Sequence, residues 1–322
     1  MRNSPFGLPG RFYKGNLHTH STNSDGAHPP ERVAAFYREA GYDFLALSDH
    51  FMADYGWPVS DTRPYRGAGF TTLIAAELHA PRTKVGEIWH IKAVGLPLDF
   101  APAGEGESGP ELARRAAAAG AFIGIVHPSW YGLTIEDAHE IDCAHAIEIY
   151  NHGSAVEVDR GSDWPFCDLL LNEGWRLGGY ATDDAHLLTH DCLGGWVQVK
   201  AEALEPEALL AALKAGRYYS SQGPVIHDIR IERPGNGSGE DPGEGPGEDP
   251  GEDPGEDKVR IQCSPAVNIA VTGRGSRSHS LQGAAMTEAV FPLKRFEEAY
   301  FRVTVSDAQG RKAWSNPIWL VD

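Results

Sequence analysis

Short apolar segments alternate with helical segments over the first two thirds of this 322-residue chain, and this alternation limits the folds open to it. Helical periodicity lies at residues 30–40, 110–119, 163–173 and 205–215, and each segment is followed by a glycine, the usual C-terminal stop. The apolar segments are FLALS, TTLIAAE, HIKAVGL, AFIGIVH, AIEIY, RLGGYAT and GGWVQVK. Strands that alternate with helices predict an α/β fold with a mostly parallel sheet.

The pattern changes after about Gly223. Six segments follow, several of which alternate apolar and polar residues: VIHDIRIER, KVRIQC, VNIAVTG, TEAVFPLK, YFRVTVSD and SNPIWLVD. Alternation with a period of two predicts a smaller antiparallel β module. We therefore expect two domains, residues 1–222 and 223–322, with the boundary near Gln222.

A Gly/Pro/Glu/Asp stretch at residues 235–257 repeats PGED and holds nine carboxylates and no basic residue. It contains no apolar residue that could offset the entropy of ordering, so we expect a solvated loop between the first two strands of the β module. The chain carries a net charge of -17, and removing these nine charges leaves -8 for the rest. Such acidity disfavours binding to membranes and to nucleic acids, small nucleotide substrates excepted.

The four cysteines show no C-x-x-C spacing, and in a chain of this size we expect reduced thiols. The N-terminal segment MRNSPFGLPGRFYKG lacks the apolar core of a signal peptide. No run of about 18 apolar residues exists that could span a bilayer. We therefore expect a soluble cytoplasmic protein, whose oligomeric state stays open.

Histidines and carboxylates recur at the termini of the predicted strands. Of the 14 histidines, 12 lie before residue 191, so most of them belong to the α/β part. His18 and His20 are two residues apart, which places both imidazoles on one face of a strand terminus, and Asp25 follows in a turn. Because the C-terminal ends of barrel strands meet at one rim, we expect a metal cluster there. The later residues of this kind are Asp49, His50, Glu77, His79, His90, His127, Asn151, His152, Asp184 and His186.

These motifs resemble those of the PHP family, the polymerase and histidinol phosphatase superfamily. The resemblance covers about residues 11–222 and rests on H-T-H followed by S-D-G, then L-S-D-H, A-A-E, V-H-P and D-A-H in this order. It implies a distorted seven-stranded (β/α) barrel that holds up to three metal ions. The C-terminal module, with GPVIHDIRI at its start and AWSNPIWL at its end, resembles the longer subgroup that includes carbaryl-hydrolase-like proteins.

The resemblance implies three ion sites, two of which share one bridging glutamate. The first site would consist of His18, His20, Glu77 and Asp184. The second would consist of Glu77, His90 and His127, and the third of Asp25, His50 and His186. Six imidazoles and three carboxylates suit Mn²⁺, Fe²⁺ or Zn²⁺ better than Ca²⁺, which prefers oxygen ligands.

Such a site predicts phosphoester hydrolysis. A bound cation lowers the pKa of water from about 16 to about 7, which supplies a metal-bound hydroxide as the nucleophile. Two or three cations also attract an anionic substrate and stabilise the charge that develops on phosphorus. We therefore expect a phosphoesterase that hydrolyses a small phosphate ester or phosphodiester at a trinuclear site.

Residues outside the ligand set receive weaker assignments. His152 is a candidate to donate a proton to the leaving group or to contact a phosphate oxygen, with a plain surface or ligand-orienting histidine as the alternative. Asp184, also a ligand, is the other residue assigned to catalysis. Arg160 and Lys14 are candidate substrate-binding cations, with a solvated surface position as the alternative. Asp49 and Asp183 are expected to orient the ligands.

Two other functions remain open. The same hydroxide attacks carbonyl groups, so the alternative substrate is a carbamate, amide or carboxylic ester. A function of another class is an inactive scaffold that the metal stabilises and whose β module binds a partner. Proofreading of DNA is disfavoured because the chain has no polymerase region and no basic patch.

Overall fold

The computed structural model describes residues 4–233 and 256–321. The chain divides into two compact units, Leu8–Gln222 and Gly223–Asp322, the second of which also includes Met1–Gly7. Most of the acidic stretch predicted as a loop, residues 235–255, lies outside the described residues.

The first unit consists of ten strands and seven α-helices that mostly alternate along the chain. The strands are β1 (Arg11–Asn16), β2 (Phe44–Leu47), β3 (His50–Phe51), β4 (Thr71–Leu78), β5 (Ile91–Val94), β6 (Phe122–Ile125), β7 (Ala146–Asn151), β8 (Gly178–Thr182), β9 (Trp196–Ala201) and β10 (Tyr218–Ser221). The helices are α1 (Pro30–Glu39), α2 (Gly109–Ala118), α3 (Pro128–Tyr131), α4 (Ile135–Glu140), α5 (His152–Val158), α6 (Trp164–Asn172) and α7 (Pro206–Lys214). The α/β class predicted for this part is therefore confirmed.

The strand order is β10-β9-β1-β2-β4-β5-β6-β7-β8, with β3 alongside β4. Strands β1, β2 and β4 are parallel neighbours, and so are β6, β7 and β8. Strand β9 is antiparallel to β1 and β10, and β5 is antiparallel to β4 and β6. The sheet of this unit is therefore mixed, with five parallel and four antiparallel strand pairs, so the predicted parallel character holds for only part of it. Residues 79–90 join β4 to β5 without a helix, and parallel neighbours need such a crossover.

The four helices predicted from periodicity are all present, each within one residue of its predicted bounds. The glycine that follows each of them has a positive φ between 67° and 99°, the left-handed conformation that ends helices. Helices α3, α4 and α5 were missed because each has seven residues or fewer, too short for a 3.6-residue period to be recognised. The start of helix α5 is instead stabilised by its N-cap residue Asn151, whose side chain accepts a hydrogen bond from the backbone N–H of Ser154.

Two glycines in strands leave room for large aromatic side chains in the core. A Cβ on Gly15 would lie 2.1 Å from the ring of Phe44, and one on Gly124 would lie 2.6 Å from the Tyr180 hydroxyl. Both rings are fully buried, and the Tyr180 hydroxyl donates a hydrogen bond to the carbonyl of Ile125. The glycines are thus required by close packing rather than by backbone conformation.

The second unit is an antiparallel β module, as predicted. Its strands are β11 (Ile226–Glu232), β12 (Lys258–Gly273), β13 (Ser278–Pro292), β14 (Tyr300–Ser306), β15 (Lys312–Ser315) and β16 (Ile318–Trp319). Strand β12 pairs with β11 and then with β14 along one edge, and with β13 along the other. The sequence predicted two strands, KVRIQC and VNIAVTG, where β12 is continuous. Pro265 lies between these segments, and proline usually interrupts a strand. In β12 it lies where the register with β13 shifts, a position that tolerates proline.

None of the four cysteines, all of which lie among the described residues, forms a disulfide. Among the helices of residues 4–233 and 256–321, none is both long enough and apolar enough to cross a bilayer.

The close packing at Gly124 can be tested by adding one methyl group. We expect Gly124→Ala to lower the free energy of unfolding by about 1–3 kcal/mol, because Tyr180 has no space to move away. Gly67→Ala is the matched control, since the nearest atom to its Cβ would be 4.0 Å away. Urea unfolding followed by circular dichroism measures both. Equal stability of the two variants would contradict the packing argument.

Candidate functional site

A parallel bridge between two loops brings four candidate ligands onto one face. Thr19, after β1, pairs with Ala185, after β8, and the backbone N–H groups of His20 and Asp184 donate to carbonyls across the bridge. Because side chains alternate along extended backbone, the residues flanking each bridge partner point to the same side. These residues are His18, His20, Asp184 and His186.

The first group of converging atoms surrounds Asp184 Oδ1. His18 Nε2 and His20 Nε2 each lie 3.0 Å from this oxygen. Glu77 Oε2 lies 3.4 Å from His18 Nε2 and 3.6 Å from His20 Nε2. All four side chains of the first predicted site are therefore adjacent, and their ligand atoms face one another.

The second group forms around the other oxygen of Glu77. Glu77 Oε1 lies 2.9 Å from His90 Nδ1 and 3.5 Å from His127 Nε2. His90 reaches this place because β5 is antiparallel, so the start of β5 lies at the edge where β4 and β6 end. His127 has a φ of 22° and Asp184 a φ of 57°, an uncommon conformation that is concentrated at functional sites.

The third group lies nearer to solvent. Asp25 Oδ2 is 3.3 Å from His50 Nε2, and Asp25 Oδ1 is 3.5 Å from His186 Nε2. His20 also belongs to this group, since its ring stacks on His50 and on His186 with centroids 4.2 and 4.3 Å apart. His50 is opposite Glu77 in the β3–β4 register, so this group adjoins the other two.

The buried carboxyls of the site favour their ionised forms. Burial raises the pKa of Glu77, but the imidazoles of His18, His50 and His90 outweigh it and hold that pKa well below its usual range. Burial likewise raises the pKa of Asp184, and His18 and His20 lower it well below the ordinary value. Both carboxyls are therefore ionised at neutral pH, and ionised carboxylates are ligands of divalent cations.

The imidazoles differ from one another. Burial lowers the pKa of His90 to about 3, and burial with the positive charge of His50 and His186 lowers the pKa of His20 well below its usual range. Burial also lowers the pKa of His50, but Glu77 and Asp25 outweigh it and raise that pKa to about 10. Neutral imidazoles with free lone pairs are the form that binds transition metals.

Several polar atoms at the site are buried without a hydrogen bond to any described residue. They include His18 Nε2, His20 Nδ1, Glu77 Oε2 and His127 Nδ1. Native proteins rarely leave such atoms unsatisfied, and imidazole nitrogens with carboxylate oxygens are the ligands of Mn²⁺, Fe²⁺ and Zn²⁺. The residues present therefore fit divalent metal ions.

Buried groups beneath the ligands hold them in place. His18 Nδ1 lies 2.9 Å from Glu148 Oε1, and Glu148 Oε2 accepts the backbone N–H of His127. This contact assigns the His18 proton to Nδ1 and leaves Nε2 facing Asp184. Asp49 accepts hydrogen bonds from the side chains of Ser21, Ser24 and Ser60 and so holds the loop after β1. The orienting role of Asp49 stays a prediction.

The ligand groups open into a cavity of about 190 Å³. Among the described residues that line it there is no Lys or Arg. Its wall includes the Trp130 indole, which is 43% exposed, and the Glu157 carboxylate. The full lining is Asp25, His50, Glu77, His90, His127, Trp130, Gly153, Ser154, Glu157, Asp184 and His186.

Comparison with solved structures places the fold. A two-domain protein from Bacteroides vulgatus that contains a predicted PHP-like metal-dependent phosphoesterase aligns over 99% of both chains, with 16% identity and a TM-score of 0.51. The chain has this PHP-like fold. No family model matches the sequence, and no curated protein matches it.

Two further structures align with about half of the chain. A candidate metal-dependent phosphoesterase from Bifidobacterium adolescentis is 14% identical over 53% of this chain and 87% of its own, with a TM-score of 0.40. An amidohydrolase from Chromobacterium violaceum with bound sulfate and no metal is 14% identical over 55% of this chain and 89% of its own, with a TM-score of 0.43.

Three residues predicted to act on substrate do not line the cavity of this PHP-like fold. His152 contacts the Tyr150 hydroxyl through Nδ1 at 3.0 Å, and its ring packs on Gly194. Lys14 Nζ lies 4.0 Å from the ring centroids of both Tyr42 and Trp196. Arg160 is exposed and donates to the backbone carbonyl of Trp130, so it lies next to the cavity wall.

Three buried residues at the site were not assigned a role from sequence. Glu148 lies within β7, and His79 follows β4. The sequence around a single imidazole or carboxylate does not indicate which distant residue it will contact. Lys92 is fully buried and donates to Ser48 Oγ, and its β5 position is opposite Glu77. Asp183, an expected orienting residue, accepts backbone N–H groups from Leu193, Gly194 and Gly195.

Asp163 offers a test of burial near the site. It is fully buried, it accepts hydrogen bonds from the backbone and side chain of Ser129, and its Oδ2 has no partner among the described residues. Burial raises its pKa to about 6, although the Ser129 hydrogen bonds oppose the shift. The neutral carboxyl therefore stabilises the fold at low pH, and this contribution is lost as pH rises through 6.

We expect Asp163→Asn, which stays neutral, to become more stable relative to wild type by about 1–3 kcal/mol between pH 4 and pH 8. Urea unfolding of metal-free protein across this range measures the difference. Asp142→Asn, at an exposed carboxylate paired with Arg114, is the matched control. A constant difference between Asp163→Asn and wild type at all pH values would contradict the assignment.

Proposed function

We propose that the chain is a metal-dependent phosphoesterase that hydrolyses a small phosphate ester or phosphodiester. The observation that supports it is the arrangement around Glu77, whose two oxygens face two different groups of imidazoles. A third group, with Asp25, adjoins them at the same cavity. A cavity of about 190 Å³ suits a small molecule.

Three divalent ions would be held by the nine side chains implied from sequence. Glu77 would bridge the first and second ions, and Asp184, with Oδ2 3.7 Å from His127 Nε2, also faces both groups. Mn²⁺, Fe²⁺ and Zn²⁺ suit this mixture of six imidazoles and three carboxylates. The ligand residues are His18, His20, Asp25, His50, Glu77, His90, His127, Asp184 and His186.

When bound, such ions supply Lewis acidity, which polarises a phosphoryl oxygen and makes water acidic enough to react near neutral pH. The side chains of the protein would hold the metal ligands in position and shield the substrate from water. Glu148 holds His18 with Nε2 toward the first group, and the Asp184 carbonyl holds His186 through Nδ1 at 3.0 Å. Trp130 covers one wall of the cavity, where it would exclude water from the substrate.

We also propose that the sheet of residues 8–222 forms a distorted barrel of the PHP type. The Thr19–Ala185 bridge supports it, since it joins the ends of β1 and β8. The contacts of Ser220 in β10 with Gly179 and Ala181 in β8 support it too. We retain residues 1–222 and 223–322 as the two domains. Four cysteines without a disulfide among them support a cytoplasmic location.

One observation favours a second candidate, a carbamate, amide or carboxylic ester hydrolase. Phosphate sites commonly include Arg or Lys, and the described lining of the cavity has neither. The exposed indole of Trp130 instead suits an aryl or alkyl group. The same ions would then act on a carbonyl, as in the carbaryl-hydrolase-like proteins that the sequence resembles.

Product analysis separates the two candidates. Chelator-treated protein, resupplied with Mn²⁺, should release phosphate from one or more members of a panel of phosphomonoesters and phosphodiesters. Asp184→Ala should release none. His139→Ala, at a partly exposed histidine paired with Glu173, should act like wild type.

If wild type binds metal but releases no phosphate, the phosphoesterase proposal is wrong. The same preparations are then tested on aryl carbamates, where hydrolysis by wild type alone would establish the second candidate.

The bridging role of Glu77 predicts a loss of metal as well as of activity. We expect Glu77→Gln to bind at most one ion per chain and to lose about 100-fold or more in activity, because an amide carries no charge and offers one oxygen. Plasma mass spectrometry after dialysis measures the metal. Glu173→Gln, at an exposed carboxylate, is the control. Unchanged metal content in Glu77→Gln would refute the bridging assignment.

A further inference from the structure

His79 follows β4 directly and is buried, with 4% of its surface exposed. Its Nδ1 lies 3.0 Å from the backbone carbonyl oxygen of Trp89. A carbonyl oxygen only accepts hydrogen bonds, so His79 Nδ1 carries a proton and donates it. In the neutral imidazole, the other nitrogen, Nε2, then has a lone pair and acts as an acceptor.

This acceptor faces His50. His79 Nε2 lies 2.8 Å from His50 Nδ1, and Glu77 Oε2 lies 2.8 Å from the same nitrogen. Glu77 Oε2, although near, makes no hydrogen bond to this nitrogen, so the contact with His79 decides its state. A lone pair that faces a nitrogen at hydrogen-bond distance requires a proton on it, so His50 Nδ1 is a donor.

The opposite nitrogen of the same ring belongs to the third group. His50 Nε2 lies 3.3 Å from Asp25 Oδ2. An imidazole nitrogen binds a metal ion only through a lone pair. The third ion therefore requires that His50 keep its proton on Nδ1 and release the one on Nε2.

Glu77 does not replace His79 as the hydrogen-bond partner of His50 Nδ1. Under the proposed function, both oxygens of Glu77 bind ions, which leaves His79 as the acceptor for His50 Nδ1. A backbone carbonyl at Trp89 thus determines, through His79, which nitrogen of His50 is free for the ion.

We propose that His79 is a positioning residue that fixes His50 with Nδ1 protonated and Nε2 available to the third metal ion. The role rests on the proposed three-ion site but not on the bond that is hydrolysed. His79 does not line the cavity. Its Nε2 lies 3.6 Å from Glu77 Oε2, but its hydrogen bond is to His50, and it acts through this bond.

Two conservative variants separate the effect of the His79 acceptor nitrogen from the effect of changing the size of the side chain. Gln at position 79 can place an oxygen near the position of His79 Nε2, whereas Asn can place its amide near Nδ1 and offers no acceptor to His50. Zinc titration calorimetry of wild type, His79→Gln and His79→Asn counts the ions and gives their affinities. His139→Asn is the control for the loss of an imidazole outside the site.

We expect His79→Asn to bind the weakest zinc ion about 10- to 100-fold less tightly, with the other ions unchanged, and His79→Gln to retain most of the affinity. Nitrogen-15 spectra of zinc-loaded wild type should show the His50 proton on Nδ1, with the resonance assigned through His50→Gln. This spectrum tests the proposal even if His79→Asn does not fold.

A His50 proton on Nε2 in zinc-loaded wild type would overturn the role of His79, and so would His79→Asn that binds every ion as wild type does. Wild type that binds three ions and gives the expected spectrum, but hydrolyses no phosphoester, would refute the proposed function and leave the role of His79 intact.

Discussion

The buried carboxylate of Glu77 is the interaction on which the candidate site depends. An ionised carboxylate that is fully buried is costly unless it is surrounded by partners of opposite charge or by donors. Glu77 meets this requirement at the centre of the site, where its two oxygens face separate sets of imidazoles. The Lys92 side chain, also fully buried, comes from the neighbouring strand, where its position is opposite Glu77.

The strand arrangement brings the partners of the Glu77 carboxylate to it. Loops after β1 and β8 meet at the Thr19–Ala185 bridge, β3 aligns His50 with Glu77, and the reversed β5 brings His90 to the edge where β4 ends. Residues far apart in sequence can thus surround one carboxylate without a long loop. Left-handed backbone at Asp184 and His127 is a local cost at this site, and tertiary contacts around both residues keep it in place.

Hydrogen bonds from buried groups beneath the metal ligands determine which ligand atoms are free to bind an ion. Glu148 holds the proton of His18 on Nδ1, and the Trp89 carbonyl does the same for His79. Since an imidazole offers one lone pair when neutral, these contacts convert a cluster of histidines into a set of ligands with defined directions. The cavity above them combines ligand atoms with an exposed indole and no described cation, so substrate charge would be matched mainly by ions.

The sequence alone determined the α/β class, the antiparallel module, the helices that end in glycine, and the PHP resemblance. It could do so because periodicity and short motifs are local, as in the spacing of His18 and His20. Tertiary structure decided the reversal of β5, the continuity of β12 through Pro265, and the partners of His79 and Glu148. It also left His152 and Lys14 out of the described cavity lining, since the direction of one side chain depends on packing between distant segments.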